Sequence, residues 1–171
     1  HVSKQVCKIA VMAGFRVTIV DDRDQYANPQ RFPEAAETMA AGFTEAFAKL
    51  SIKPSTFIVI VTRGHRYDEE ILERVLTTPA KYIGMIGSKK KVFATYEHLV
   101  ERDVPVESLR RVHAPMGIEI GSTTAEEIGV SIVAELVAVR RGEEAPYAEK
   151  SLVMRDLLSR LERRQNERGS S

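Results

Sequence analysis

Cysteine and tryptophan are all but absent: the 171 residues hold one Cys, Cys7, and no Trp. A single thiol forms no intramolecular disulfide and no thiolate cluster. Iron–sulfur ligation and Cys-rich zinc sites are therefore excluded within the chain. The same scarcity points to a reducing, cytoplasmic setting. Long apolar runs are also lacking. The longest, Phe57–Val61, is strand-sized, against the ~20 residues of a membrane span, so no membrane association is expected. Nor is there charge of one sign: 25 Lys+Arg against 24 Asp+Glu leave +1, which offers no bulk attraction to nucleic acid. No second His or Cys stands at metal-ligand spacing beside His65, so no self-contained metal site is expected. A glycine-rich phosphate loop is missing too. The chain opens at His1 with a helical pattern already under way. We therefore expect a domain that lacks its first strand and glycine loop.

What remains is an ordinary soluble composition, 43% hydrophobic and 29% charged, at a length that suits one domain. Val2, Val6, Ile9, Ala10 and Ala13 follow helical spacing, and Gly14 stands where a helix would end. Phe15–Val20 is rich in β-branched residues and predicts a strand that ends at Asp21-Asp22. A loop with Pro29 and Pro33 follows, then a short helix within Thr38–Leu50. Thr56–Thr62 predicts a strand covered on both faces. Asp68–Thr77 reads as a helix, Tyr82–Ile86 as a buried strand, Lys89–Arg102 as a helix, and Glu107–Val112 as a turn or two more. Thr124–Arg141 is the longest apolar-striped helix. Gly142 to Pro146 breaks the chain before a last helix, Leu152–Arg164, which either covers the sheet or pairs with another subunit. Strands alternating with helices predict an α/β fold, a Rossmann-like parallel sheet with helices on both faces. Residues 1–142 are read as that domain, and 143–171 as a helical extension with a frayed end.

In such sheets the ligand crevice lies beyond the carboxyl ends of the strands. The strand ends therefore supply the candidates. Asp21 and Asp22 are placed to accept from ribose hydroxyls, whereas Arg23 beside them suits a 2′-phosphate; a solvated strand end is the plainer alternative. Gly84 and Gly87 would let a ligand approach the backbone, and Ser88 can cap the helix that Lys89, Lys90 and Lys91 open. Lysines at a helix N-terminus oppose the macrodipole, a conflict that favours an anion site over a merely solvated face. Thr62-Arg63-Gly64-His65 ends the most apolar strand. His65 is the one candidate for a proton donor, as plausible in a structural role. Asp68 reads as a cap or first-turn acid. Gly117 and Gly121 shape a loop that enters the long helix, where Thr123 with Glu126 or Thr124 with Glu127 fits a capping box. Cys7 reads as a buried small residue.

The succession Val20–Arg23, Val61–His65, Tyr82–Lys91 and Pro115–Val139 resembles the XdhC/CoxI family of accessory proteins for molybdenum hydroxylases, over His1 to about Gly142. Ser88 and Lys91 match that family's Gly-Ser-x-x-Lys. His1-Val2 resemble the end of its Gly-Ala-Gly-His-Val, which adds His1 to the candidate ligand residues. The family often has Thr-His-Asp-His where Thr62-Arg63-Gly64-His65 stands, Asp for Glu119 and Pro for Ala125. The resemblance implies the C-terminal Rossmann-type domain of such a protein. It implies molybdenum cofactor (molybdopterin) or an NAD(P)-like dinucleotide as ligand. The partner it implies is a molybdenum hydroxylase of the xanthine dehydrogenase type, with a cysteine desulfurase and a second copy of the chain as further ones.

Three readings follow. The first is an accessory domain, a binder and not a catalyst, which holds an anionic nucleotide- or pterin-like ligand and aids cofactor sulfuration and insertion. The second is an NAD(P)-dependent oxidoreductase with His65 as its acid. The third is a ligand-free scaffold for dimerisation or for docking the target enzyme.

Overall fold

The structure, a computed structural model, describes residues 1–143 and 148–170, without the side chains of His65 and of residues 148–153. In chain order it comprises α1 (Val2–Met12), β1 (Thr18–Asp21), β2 (Glu37–Ala40), α2 (Phe43–Lys49), β3 (Phe57–Ile60) and α3 (His65–Val75). Then come β4 (Tyr82–Met85), α4 (Lys89–Glu101), α5 (Val106–Leu109), β5 (Val112–His113), α6 (Ala125–Arg141) and α7 (Ala148–Gly169). Residues 144–147, which overlap the expected break at Gly142–Pro146, lie outside the described residues. The fold is α/β. Every strand pairing is parallel, and the strands form two small sheets, β1-β2 and β3-β4-β5. The chain divides into two compact units, 1–52 with 117–141 and 53–116 with 142–171.

In the first unit, β1 and β2 run in register from Thr18–Glu37 to Asp21–Ala40. The α1 stripe behaves as its spacing predicts, with Val6, Cys7 and Ala10 buried. It packs on α6, and the closest approach falls at Gly129. A β-carbon there would stand 3.0 Å from Gln5 Cβ and 3.3 Å from the Gln5 carbonyl carbon. Gln5 Nε2 donates to Glu126 Oε1 at 3.0 Å on the same flank. The far end of α6 is tied back by Arg140. Its Nη1 donates to the Ala13 carbonyl at 3.0 Å, and its guanidinium lies 4.3 Å from the Phe15 ring centroid.

In the second unit β4 is central, flanked by β3 and β5, and all four of its residues are buried. The covered strand is thus Tyr82–Met85 and not, as the apolar run suggested, the one at Thr56–Thr62. Phe57, Ile58 and Val59 remain half-buried, because β3 has a neighbour on one side within its sheet. The last helix packs on α4 and α5. Leu158 and Leu161 are buried there, at roughly 1.5–3 kcal/mol each for full burial. Gln165 exchanges hydrogen bonds with the main chain of Val104 and Val106, and Arg110 bonds Glu162 at 2.7 Å.

Two strands escaped the sequence reading. The short helix expected within Thr38–Leu50 is α2, Phe43–Lys49, but the first residues of that stretch belong to β2. Glu37–Ala40 gains its hydrogen bonds from β1, a partner remote in sequence, with Ala41 N–H closing on the Asp21 carbonyl at 3.1 Å. The two-residue β5 is likewise defined by β4 alone. The strand expected at Phe15–Val20 lies at Thr18–Asp21, and α3 starts at His65, ahead of Asp68.

Candidate functional site

In the second unit β3 and β4 are parallel, with Ile60 beside Met85. Both therefore deliver their following residues to one sheet edge, where α3 and α4 begin. Asp68, in the first turn of α3, is fully buried there. Thr62, just past β3, donates its hydroxyl to Asp68 Oδ1. Lys91, from the first turn of α4, brings Nζ to 2.5 Å from Oδ2. A buried carboxylate needs such compensation, since desolvating it alone costs several kcal/mol. Asp68 is thus a first-turn acid, with Gly64 at the N-cap, and its carboxylate joins three elements.

Next to it the Gly87–Lys91 turn closes on itself. Ser88 is the N-cap of α4, its Oγ accepting from Lys91 N–H at 3.2 Å. The stem of Lys91 folds back over Gly87. Lys89 and Lys90 are exposed. The clash of three lysines with the helix dipole is therefore milder than the sequence suggests, because Asp68 balances one of them. First-turn amides of a helix have no intrahelical acceptor, so those of Lys89 and Lys90 are open to an acceptor from outside the helix, an anion included.

Gly84 has a different use. A β-carbon on it would run into the ring of Tyr82. That ring stacks on His113 with centroids 4.6 Å apart and on Phe57 at 5.7 Å. The room left by Gly84 is filled by protein. His65 begins α3; its side chain lies outside the described residues.

In the first unit Asp21, Asp22 and Arg23 meet at the carboxyl end of β1. Asp21 accepts from Arg23 N–H at 3.0 Å, from Nε at 3.0 Å and from Nη2 at 3.4 Å, while Asp22 lies 3.5 Å from Nε. The Arg23 guanidinium stacks on Tyr26 at 4.1 Å, and Arg31 lies 5.2 Å from the same ring. The hydrogen bond from Arg23 engages Asp21, leaving Asp22 as the more exposed acid. His1 is exposed at the N-cap of α1. Gly117 is buried against α6. Its N–H donates to the buried carboxylate of Glu135, and Ser131 Oγ donates to the Ile118 carbonyl at 2.5 Å. Gly121 lies in open space. The capping box is Thr124 with Glu127: Glu127 N–H donates to Thr124 Oγ1 at 3.2 Å, and Thr124 N–H to Glu127 Oε2 at 3.0 Å. The Cys7 thiol is buried, and burial, then the charge of Glu34, raise its pKa. That removes it as a thiolate nucleophile near neutral pH.

Sequence reasoning missed Asp68 as a buried acceptor. The sign was present: Asp68 shares its helical face with Ile71, Leu72 and Val75, all buried. It also missed Tyr26, Arg31, Ser131 and Glu135, whose partners lie across loops or helices. A depression of about 730 Å³ runs along α3 among Arg66, Glu69, Glu73, Arg74 and Arg102. It is an open groove of charged side chains, in which Glu73 and Arg102 already pair. Among the described residues no group of three His, Cys, Asp or Glu could hold a metal ion, and no helix is long and apolar enough to cross a membrane.

Parallel strands whose ends feed helix N-termini are the arrangement of α/β folds, the Rossmann type among them. The XdhC Rossmann domain matches residues 1–136, and the chain belongs to that family. It is 32% identical over 141 residues to an uncharacterized protein, YqeB, of Escherichia coli K12, covering 82% of this chain and 26% of that protein. A second relative, from Bacillus subtilis 168, bears the name of a probable xanthine dehydrogenase subunit. The two are 27% identical over 136 residues, covering 80% of this chain and 39% of the relative. A crystal structure described as a xanthine dehydrogenase from Bacillus halodurans superposes with a TM-score of 0.71 at 29% identity, over 86% of this chain and 43% of that one. The chain thus spans less than half the length of each of these relatives.

Proposed function

We propose that this is an accessory domain in the maturation of a molybdenum hydroxylase of the xanthine dehydrogenase type. It binds an anionic nucleotide- or pterin-phosphate ligand, with the molybdenum cofactor as cargo, and aids its sulfuration and insertion. The observation that carries the reading is the start of α4, where Ser88 caps the helix and the exposed Lys89 borders the first-turn amides.

The chemistry of these groups fits a phosphate. In the first unit, taken by itself, the carboxylates of Asp21 and Asp22 suit hydroxyl or amino donors. No cysteine of this chain suits the metal itself, since Cys7 is buried with a raised pKa. The names of two relatives support a hydroxylase of the xanthine dehydrogenase type as partner; a cysteine desulfurase and a second copy of the chain are the further partners of this reading.

Calorimetric titration of the purified protein with molybdopterin, NAD and NADP tests the reading, together with capture of the hydroxylase. Binding of one ligand, weakened by Ser88→Ala and Lys89→Ala, is expected. Failure of all three to bind would sink it. Hydride transfer to a supplied acceptor, abolished by His65→Ala, would make the protein an NAD(P)-dependent oxidoreductase instead.

A further inference from the structure

Gly87-Ser88-x-x-Lys91 invites a simple interpretation, with the lysine as phosphate contact. The structure makes that lysine a poor candidate. Its ammonium lies 2.5 Å from a carboxylate that has no solvent exposure. Its stem crosses Gly87 so closely that a β-carbon there would stand 3.0 Å from Lys91 Cδ. Its own N–H is held by Ser88 Oγ. The other oxygen of the same carboxylate accepts from Thr62. Drawing Lys91 out to a ligand would leave the Asp68 carboxylate buried without its counter-charge, the most unfavourable way to break a buried pair. The Asp68 charge would also repel a phosphate that moved deeper along the Lys91 stem. Lys89, two residues earlier, is exposed and has no such tie among the described residues.

We infer that Asp68 is a positioning residue that holds Lys91 and Thr62 away from the ligand, leaving Ser88, Lys89 and the first amides of α4 to meet its phosphate. The latch keeps the Lys91 stem over Gly87 and its ammonium on Asp68. This rests on the proposal above that the start of α4 takes an anion.

The test uses inorganic pyrophosphate as probe. The unsubstituted protein is treated with an acylating reagent, with and without pyrophosphate, and each lysine is mapped by mass spectrometry. Lys89 should be labelled in the free protein and protected by pyrophosphate. Lys91 should resist labelling in both states. Calorimetry supplies a second readout. The neutral pair Asp68→Asn with Lys91→Met, its folding checked by circular dichroism, should bind pyrophosphate within about twofold of the unsubstituted protein, with the same dependence on salt. Lys89→Ala should weaken binding about tenfold, the scale of one charge-assisted contact. Lys91 labelled freely and then protected by pyrophosphate would overturn the inference. So would a tenfold loss and a flatter salt dependence in the neutral pair. No binding by the unsubstituted protein would instead remove the anion reading itself, and the latch's role with it.

Discussion

Lys91 lies across Gly87, its Cδ 3.0 Å and its Cγ 3.5 Å from where a β-carbon of residue 87 would sit. Gly87 also has φ +149°, a region that L side chains rarely adopt. Gly87→Ala therefore meets strain and crowding together. A loss of about 1–3 kcal/mol in unfolding free energy is expected, read from urea denaturation. An unchanged midpoint would show that the Lys91 stem does not occupy this path.

Gly117 presents the same problem at the entrance to α6. At φ +100° its β-carbon would fall 2.5 Å from Ser131 Oγ, a hydroxyl held by the Ile118 carbonyl. Gly117→Ala must move either the loop or the helix. We expect a destabilisation of about 1–3 kcal/mol. Thermal unfolding of the variant checks it, and a melting temperature equal to that of the parent would contradict the strapped-loop geometry.

The cap of α6 carries a pH signature. The backbone N–H groups of Thr123 and Thr124 and the Thr123 hydroxyl donate to Glu127, and hold its pKa below the ordinary carboxylate value. A lowered pKa in the folded state means a contribution present above the unfolded value, about 4, and lost as pH falls through the lowered one. Glu127→Gln should flatten the acid limb of the stability–pH curve. Thr124→Ala removes the other half of the box and should lower stability by about 1 kcal/mol at neutral pH. Urea midpoints measured from neutral to acid pH decide both.

His98 titrates in the opposite sense. It hydrogen-bonds Glu69 at 2.8 Å, and that bond, then the Glu69 charge, raises its pKa, with Glu101 and Glu97 adding to the effect. The pair's contribution is full below the unfolded histidine value, about 6.5, and fades as pH rises through the raised one. Because the imidazole is exposed, the effect on stability should be slight and the spectroscopic one clear. In an NMR titration the His98 midpoint should move down toward the ordinary value in Glu69→Gln. A midpoint that stays put would rule out the ion pair in solution.

The longer helices were legible because their apolar residues repeat at helical spacing: Val6 and Ala10 on α1, Ile71, Leu72 and Val75 on α3, Ile132 and Leu136 on α6 are buried as that period requires. Local chemistry was legible as well. Ser88 and the Thr124–Glu127 box act within one turn of their own positions. The short strands were less so. Glu37–Ala40 and Val112–His113 owe their state to β1 and β4, and a strand of a few residues carries no pattern that distinguishes it from a loop or a helix end.

The sequence by itself determined the alternation of strands and helices and, with a single cysteine, ruled out any disulfide or thiolate cluster within the chain. Periodicity, capping and counting depend on neighbours a few residues apart. The tertiary structure decided what each charged side chain does. Asp68 and Lys91 stand 23 positions apart in the chain and meet because parallel pairing of β3 with β4 brings the starts of α3 and α4 to one edge. Whether a lysine is a ligand contact or one half of a buried pair depends on what lies within a few ångströms of its ammonium. Charge interaction falls off with distance in space, and it is the fold that brings these two residues together.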